Sequence, residues 1–206
     1  MAGKPLIAYS IEIAQSIESI KKIYVSTEDN NIAVVAKEYG AEVIPRPINL
    51  AQDASPEWYA WKHAIEWLRQ KGDDFDFFIS IPTTAPLREK KDITRCLASL
   101  DEETDIVVGI TESKSNPFFN MVKKNKNGFI EIVINSKDNY VRRQESPLIF
   151  DMTTVAYVCR PEFIINSNGI FEGKVKGVEI PAERGLDIDT ELDWEFVEFL
   201  MSKKND

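Results

Sequence analysis

Between residues 5 and 112 the chain alternates four times between helical periodicity and a short apolar run, and this alternation restricts the fold more than any single residue does. Helical patterns are predicted over 5–20, 30–39, about 56–70 and 91–101. The runs between and after them, 22–27 (KIYVST), 42–44, 75–81 (FDFFISI) and 104–112 (TDIVVGITE), are rich in β-branched and aromatic residues and read as strands. In the third helix Trp61, Ala64, Ile65 and Leu68 fall on one stripe, the face a helix turns to a core. FDFFISI lacks polar alternation, as expected of a strand covered on both faces. Helix and strand in strict turn favour an α/β fold with a mostly parallel sheet and right-handed crossovers.

The pattern changes over 113–150, where short apolar segments are punctuated by polar ones. Asn127-Gly128 between FFNMVKK and FIEIVI is a hairpin signal, so an excursion from the sheet is expected here. A strand at 153–159, a segment at 175–181 and a helix at 191–203 bring the chain back. With 206 residues, 43% of them hydrophobic, one domain over 1–206 with one core is expected. A net charge of -9 without a basic block argues against a nucleic-acid partner. No apolar run approaches membrane-spanning length and no basic-then-apolar leader opens the chain, so no membrane association is expected. Cys96 and Cys159 lack metal-ligand spacing and read as reduced thiols, which fits the cytoplasm.

Chemistry concentrates in loops after strands, where open α/β sheets bind ligands. In LDIDT, Asp187 and Asp189 are two residues apart, so an extended backbone points both carboxylates to one side and turns Ile188 toward the core. Two hard oxygen donors so placed suit Mg²⁺ on a nucleotide's phosphates. A second reading stays open, since Thr190 and Asp193 form a capping box and acids favour a helix start. The 82–88 loop (PTTAPLR) is stiffened by two prolines and offers the hydroxyls of Thr83 and Thr84 and the guanidinium of Arg88 to the ligand side. Arg46, before Pro47, could hold phosphate bidentately. Ser26-Thr27-Glu28-Asp29, after the first strand, reads as an N-cap with acids in the first helical turn. His63 falls off its helix's stripe and reads as solvent-exposed, and the tryptophans of that helix read as packing residues.

Six segments in order, GKPLIAYSIE, VSTED, GAEVIPRP with LAQD, PTTAPLR, RRQ at 142–144 and LDIDTELDWE, resemble the acylneuraminate cytidylyltransferases, the CMP-sialic acid synthetases. The resemblance runs from residue 3 to about residue 200. It implies a Rossmann-like three-layer nucleotidyltransferase fold, a homodimer, and a protruding hairpin arm over 113–150 that makes the dimer. It also implies transfer of CMP from CTP to the anomeric hydroxyl of a sialic-acid-like sugar acid, with pyrophosphate released and Mg²⁺ required. By position, Asp187 and Asp189 would hold the metal and act with Arg88 in catalysis. Arg46 would contact CTP, Thr83 and Thr84 would line the active-site loop, and Arg143 and Gln144 would face the sugar acid.

The sequence departs from the family pattern in three places. Family members begin with a strand and an Ala-Arg-x-x-Ser-Lys loop for the triphosphate, and Met1, Ala2, Gly3 and Lys4 do not supply it. The expectation is an N-terminally shortened form whose strands at 22–27 and 75–81 flank an unpaired gap, with CTP binding weakened. Pro82 stands where sialic acid enzymes carry glutamine, and FDMTTVAYV stands where they carry a polar residue and Asn-Gly. Both differences leave another 2-keto-3-deoxy sugar acid as an alternative substrate. An inactive module that only dimerises and a glycosyltransferase with an Asp-x-Asp pair are the readings from other classes.

Overall fold

A computed structural model of the chain describes residues 1–135, 140 and 142–204, the side chain of Lys204 apart. Its first half runs α1 (Leu6–Gln15), β1 (Tyr24–Thr27), α2 (Asn30–Glu38), β2 (Glu42–Pro45), α3 (Glu57–Gln70), β3 (Phe78–Ser80), α4 (Lys90–Ala98) and β4 (Ile106–Glu112). A hairpin of β5 (Val122–Lys124) and β6 (Ile130–Ile132) follows, then β7 (Phe150–Cys159), α5 (Pro161–Asn166), β8 (Val175–Glu179) and α6 (Glu191–Lys204). The α/β alternation is as the periodicity predicts, with α1 and α4 ending at Gln15 and Ala98, short of the predicted residues 20 and 101.

Four strands hydrogen-bond in the order β3-β7-β4-β8. β7 is antiparallel to both of its neighbours while β8 is parallel to β4, so three of the four strands share one direction and the sheet is mixed. Period-2 alternation sorts the side chains into layers. Ile106 and Val108 of β4 and Tyr157 and Cys159 of β7 pack on Trp58, Trp61 and Ile65 of α3 and Ile164 of α5. Val107 and Val158 point the other way, onto Ile93 and Cys96 of α4 and Ile17 just beyond α1. Helices therefore cover both faces. Fully burying an aliphatic side chain contributes about 1.5–3 kcal/mol, so these two clusters supply most of the drive to fold.

The register of β7 on β4 jumps between Val108, opposite Tyr157, and Gly109, opposite Thr153, leaving residues 154–156 without partners in β4. Gly109 permits this bulge, because a Cβ there would lie 2.6 Å from Thr153 Oγ1.

β1 and β2 form a separate parallel pair. Among the described residues no strand pairing joins that pair to the four-stranded sheet, which is the unpaired gap expected beside these strands. Among the described residues β3 pairs with β7 alone, and the prediction of a strand over 75–81 buried on both faces is corrected by its burial: three residues are paired, all half-buried, and Phe77 is exposed. Side chains bridge the gap instead. Tyr24 Oη donates to Asp73 Oδ2 at 2.7 Å, and Ile44 packs with Ala64, Leu68 and Phe75.

Gly128, at φ +88°, makes the turn of the β5-β6 hairpin, and Asn125 O accepts from Gly128 N at 3.0 Å. The hairpin is its own two-stranded sheet and leaves Phe129 and Ile130 about 70% exposed, at 71% and 70%. The predicted excursion extends over residues 136–139 and 141, which lie outside the described residues. His63 is half-buried, not exposed, with Nδ1 enclosed and without a hydrogen-bond partner among the described residues, because the 56–70 helix buries more than its predicted stripe.

Candidate active site

The loops that follow β3, β4 and β8 lie at the carboxyl ends of three strands that share one direction, and the bulged part of β7 runs back beside them. The bulge gives the site its centre. Freed from β4, Thr154 offers its carbonyl to Arg88 Nη2 at 3.2 Å and its hydroxyl to Asp187 Oδ1 at 2.9 Å. Thr84 Oγ1 reaches the same Thr154 hydroxyl at 3.4 Å, and Thr84 O accepts from Ile188 N at 2.9 Å. The 82–88 loop, β7 and the 187–189 segment thus meet at Thr154.

Asp187 is half-buried with one oxygen engaged by Thr154, while Asp189 is exposed. Ile188, between them, packs near Leu87, Val197 and Met201, as the extended spacing predicts. Next to the pair, Thr190 and Asp193 form the anticipated capping box: Thr190 N donates to Asp193 Oδ2 at 2.8 Å and Asp193 N to Thr190 Oγ1 at 3.2 Å. The hydrogen bond to the Thr190 hydroxyl, then those to the Thr190 and Asp189 amides, hold the Asp193 carboxyl below its ordinary range. The helix start therefore uses Asp193 and leaves both earlier carboxylates to the site.

Arg88 does not face the ligand side as predicted. It is 5% exposed and lies beneath the loop, donating to Ser10 Oγ at 2.9 Å, to Thr154 O and to Pro82 O. Burial drives its pKa down to about 9, opposed by the charges of Asp187 and Asp92. Its Nη1 and Nη2 are engaged by Ser10, the loop and the bulge, while Nε is enclosed without a partner among the described residues, which makes it a strut.

The other expected residues are more dispersed. Arg46 donates to Ser26 Oγ at 3.2 Å and to Ser26 O, fixing the segment after β2 on the end of β1. Its charge also reaches Glu57, which accepts from Trp61 Nε1 at 3.1 Å. Arg143 is held at the end of β4 by Glu112 at 3.3 Å and by Ser113 O. Thr83 is half-buried and Gln144 exposed. No hydrogen bond among the described residues connects Arg46, Thr83, Arg143 or Gln144 to the Asp187 network. Sequence reasoning missed Thr154 and Ser10 and noted Ser26 only within the 26–29 loop. No spacing marks them, because Thr154 becomes special only where β7 loses register.

The donor set fits a hard divalent cation that takes most of its ligands from elsewhere. Two carboxylates lie on one extended segment, one oriented by a hydroxyl and the other open to solvent, and no cluster of three or more His, Cys, Asp or Glu side chains suited to a metal occurs among the described residues. Mg²⁺ is bound in this way, by one or two carboxylates with phosphate oxygens and water.

A family profile described as Cytidylyltransferase matches residues 1–200. The chain belongs to the cytidylyltransferase family. This cytidylyltransferase is 33% identical over 206 residues to the CMP-N,N'-diacetyllegionaminic acid synthase of Campylobacter jejuni, covering 97% of this chain and 85% of that protein. It is 30% identical over 207 residues to the post-translational flagellin modification protein B of Campylobacter coli, with the same coverage of 97% and 85%. Among solved structures, CMP:2-keto-3-deoxy-manno-octonic acid synthetase complexed with CTP superposes with a TM-score of 0.70 at 17% identity, over 99% of this chain and 90% of that one, a likeness of fold. As a member of its family the enzyme is a nucleotidyltransferase, and no helix among its described residues is long and apolar enough to cross a membrane.

Proposed function

We propose that this cytidylyltransferase transfers CMP from CTP to the anomeric hydroxyl of a sialic-acid-like nonulosonic acid. The anomeric oxygen forms a bond to the α-phosphorus as the bond from that phosphorus to the bridging oxygen of the β-phosphate breaks. Pyrophosphate leaves and the hydroxyl proton passes to water. The observation that carries this reading is the Thr154–Asp187 hydrogen bond of 2.9 Å, which presents one fixed and one open carboxylate at the strand ends of a chain whose relatives act on sugar acids of this class.

Asp187 and Asp189 would hold Mg²⁺, which when bound supplies positive charge to the phosphoryl oxygens. Thr154 fixes the Asp187 carboxylate, and Arg88 keeps Thr154 in place from below while lending its charge to Asp187. Arg46 lies on the β1 side as a partner for CTP phosphates, and Arg143 and Gln144 lie at the end of β4 for the sugar acid. Because charge on phosphoryl oxygens is the main obstacle, fixed cations and donors carry more of the catalysis than a proton shuttle. The enzyme is cytoplasmic and homodimeric in this reading. A two-stranded hairpin is marginal alone, and Phe129, Ile130 and Val122 on it gain cover from a second subunit.

The test is pyrophosphate release with CTP, Mg²⁺ and a panel of nonulosonic acids, with 2-keto-3-deoxyoctonic acid as comparator. Turnover is expected with a nine-carbon acid and lost in Asp189→Asn with folding retained. Release with none of the nine-carbon acids, or unchanged turnover in Asp189→Asn, would refute the proposal.

A further inference from the structure

We propose that the buried ion pair of Asp92 and Arg184 is a positioning latch that fixes the 187–189 segment against the loop after β3, so that the two carboxylates stand ready for a divalent cation. This rests on the reading of Asp187 and Asp189 as metal ligands. Asp92 is 0% and Arg184 9% exposed, and the guanidinium grips the carboxylate with two bonds, Nε to Oδ2 at 2.8 Å and Nη2 to Oδ1 at 3.0 Å. Asp92 lies in the first turn of α4, where its Oδ2 also accepts from Glu89 N at 2.9 Å. The latch is therefore anchored to the helix that the 82–88 loop feeds.

Its other end is short. Only Gly185 and Leu186 separate Arg184 from Asp187, and Gly185 passes so close to the bulge that a Cβ there would lie 3.0 Å from Thr153 Cγ2. One residue past Asp187, Ile188 N donates to Thr84 O at 2.9 Å. The backbone of Asp187 is thus held three residues before it and one residue after it by partners on the same loop-and-helix unit. A buried ion pair adds little stability over an apolar pair of equal volume. What a planar two-point fork adds is direction, which a single ammonium does not supply.

The experiment measures Mn²⁺ binding by electron paramagnetic resonance, with CTP present and no sugar acid, beside thermal melting and the Mg²⁺ dependence of pyrophosphate release. The variants are Arg184→Lys and the pair Asp92→Asn with Arg184→Met, which keeps an acceptor for Glu89 N and removes both charges. Groups that orient metal ligands typically alter affinity by about 10–100-fold when changed. Each variant is expected to melt within a few degrees of the parent, to bind Mn²⁺ about tenfold more weakly, and to recover most of its turnover at saturating Mg²⁺. Unchanged Mn²⁺ binding in a folded variant overturns the latch. So does failure of both variants to fold, which makes the pair a folding element instead. Asp189→Asn separates the two ideas: if it binds Mn²⁺ like the parent, the metal reading itself is wrong, whereas loss there with full binding in Arg184→Lys removes the latch alone.

Discussion

Replacing Arg88 by methionine tests whether this buried cation is a strut or a substrate ligand. Arg88 makes three hydrogen bonds, to Ser10 Oγ at 2.9 Å, to Thr154 O at 3.2 Å and to Pro82 O. Hydrogen bonds to a charged group contribute about 1.5–3 kcal/mol each, so the three together contribute on the order of 4.5–9 kcal/mol. Against them stands the cost of burying the charge. A guanidinium whose pKa falls from 12.5 to about 9 is disfavoured by roughly 5 kcal/mol in its charged form. Methionine loses the first contribution and escapes the second while filling much of the same volume, which leaves Arg88→Met less stable by between about 0 and 4 kcal/mol, near 2 at the centre. For a chain of this length that lowers the melting temperature by about 4–8 °C. Calorimetry at neutral pH reads the shift, and pyrophosphate release well below the melt reads function. A strut predicts a small loss of turnover with an unchanged dependence on CTP. An unaltered melting temperature with a hundredfold loss of turnover would place the guanidinium on the substrate and refute the reasoning.

Three further predictions concern the bulge and the core. Thr154→Val removes the hydroxyl that holds Asp187 Oδ1 at 2.9 Å, so the Mg²⁺ needed for half-maximal turnover should rise by about 10–100-fold while the melt changes little; an unchanged Mg²⁺ requirement counts against Thr154 as the orienting group. Gly109→Ala drives a Cβ to 2.6 Å from Thr153 Oγ1 and 3.3 Å from Ile180 Cγ1 and should cost about 1–3 kcal/mol in urea unfolding, so full stability would mean that the bulge is not pinned there. Burial pushes the thiols of Cys96 and Cys159 up to about 12, so in the folded enzyme neither ionises between pH 7 and 9 and alkylation should not accelerate over that range until urea exposes both. Rapid labelling of the native protein at pH 8 would contradict their burial.

Elements governed by local periodicity were legible in the sequence. The stripe of Trp61, Ala64, Ile65 and Leu68, the Asn127-Gly128 turn, a helix cap within 26–29 and the Thr190 capping box each depend on residues within a turn or two of one another. The 187–189 segment was legible too, because an extended run sorts its side chains by parity. What could not be read depends on distant backbone. Arg88 was expected outside because its loop was stiff and polar, and it went inside because the bulge at residues 154–156 left a carbonyl in need of a donor. That bulge comes from the jump in register between β4 and β7, and Thr154 has no sequence mark of its own. The run FDFFISI is apolar enough for a central strand, yet composition does not report whether a neighbour lies on each side.

The division between β1-β2 and the larger sheet has a consequence for motion. Backbone ladders usually make a sheet open as one cooperative unit, but among the described residues no ladder joins the two parts, which meet through side-chain contacts such as Tyr24 with Asp73 and Ile44 with Phe75. Amides of β1 and β2 are therefore expected to exchange with solvent at a lower opening free energy than those of β4 and β7. Arg46 rides on the first part and Asp187 on the second. The span between Arg46 and Asp187, both proposed above to meet CTP, is thus an elastic quantity, set by how firmly a few side chains clasp across a seam.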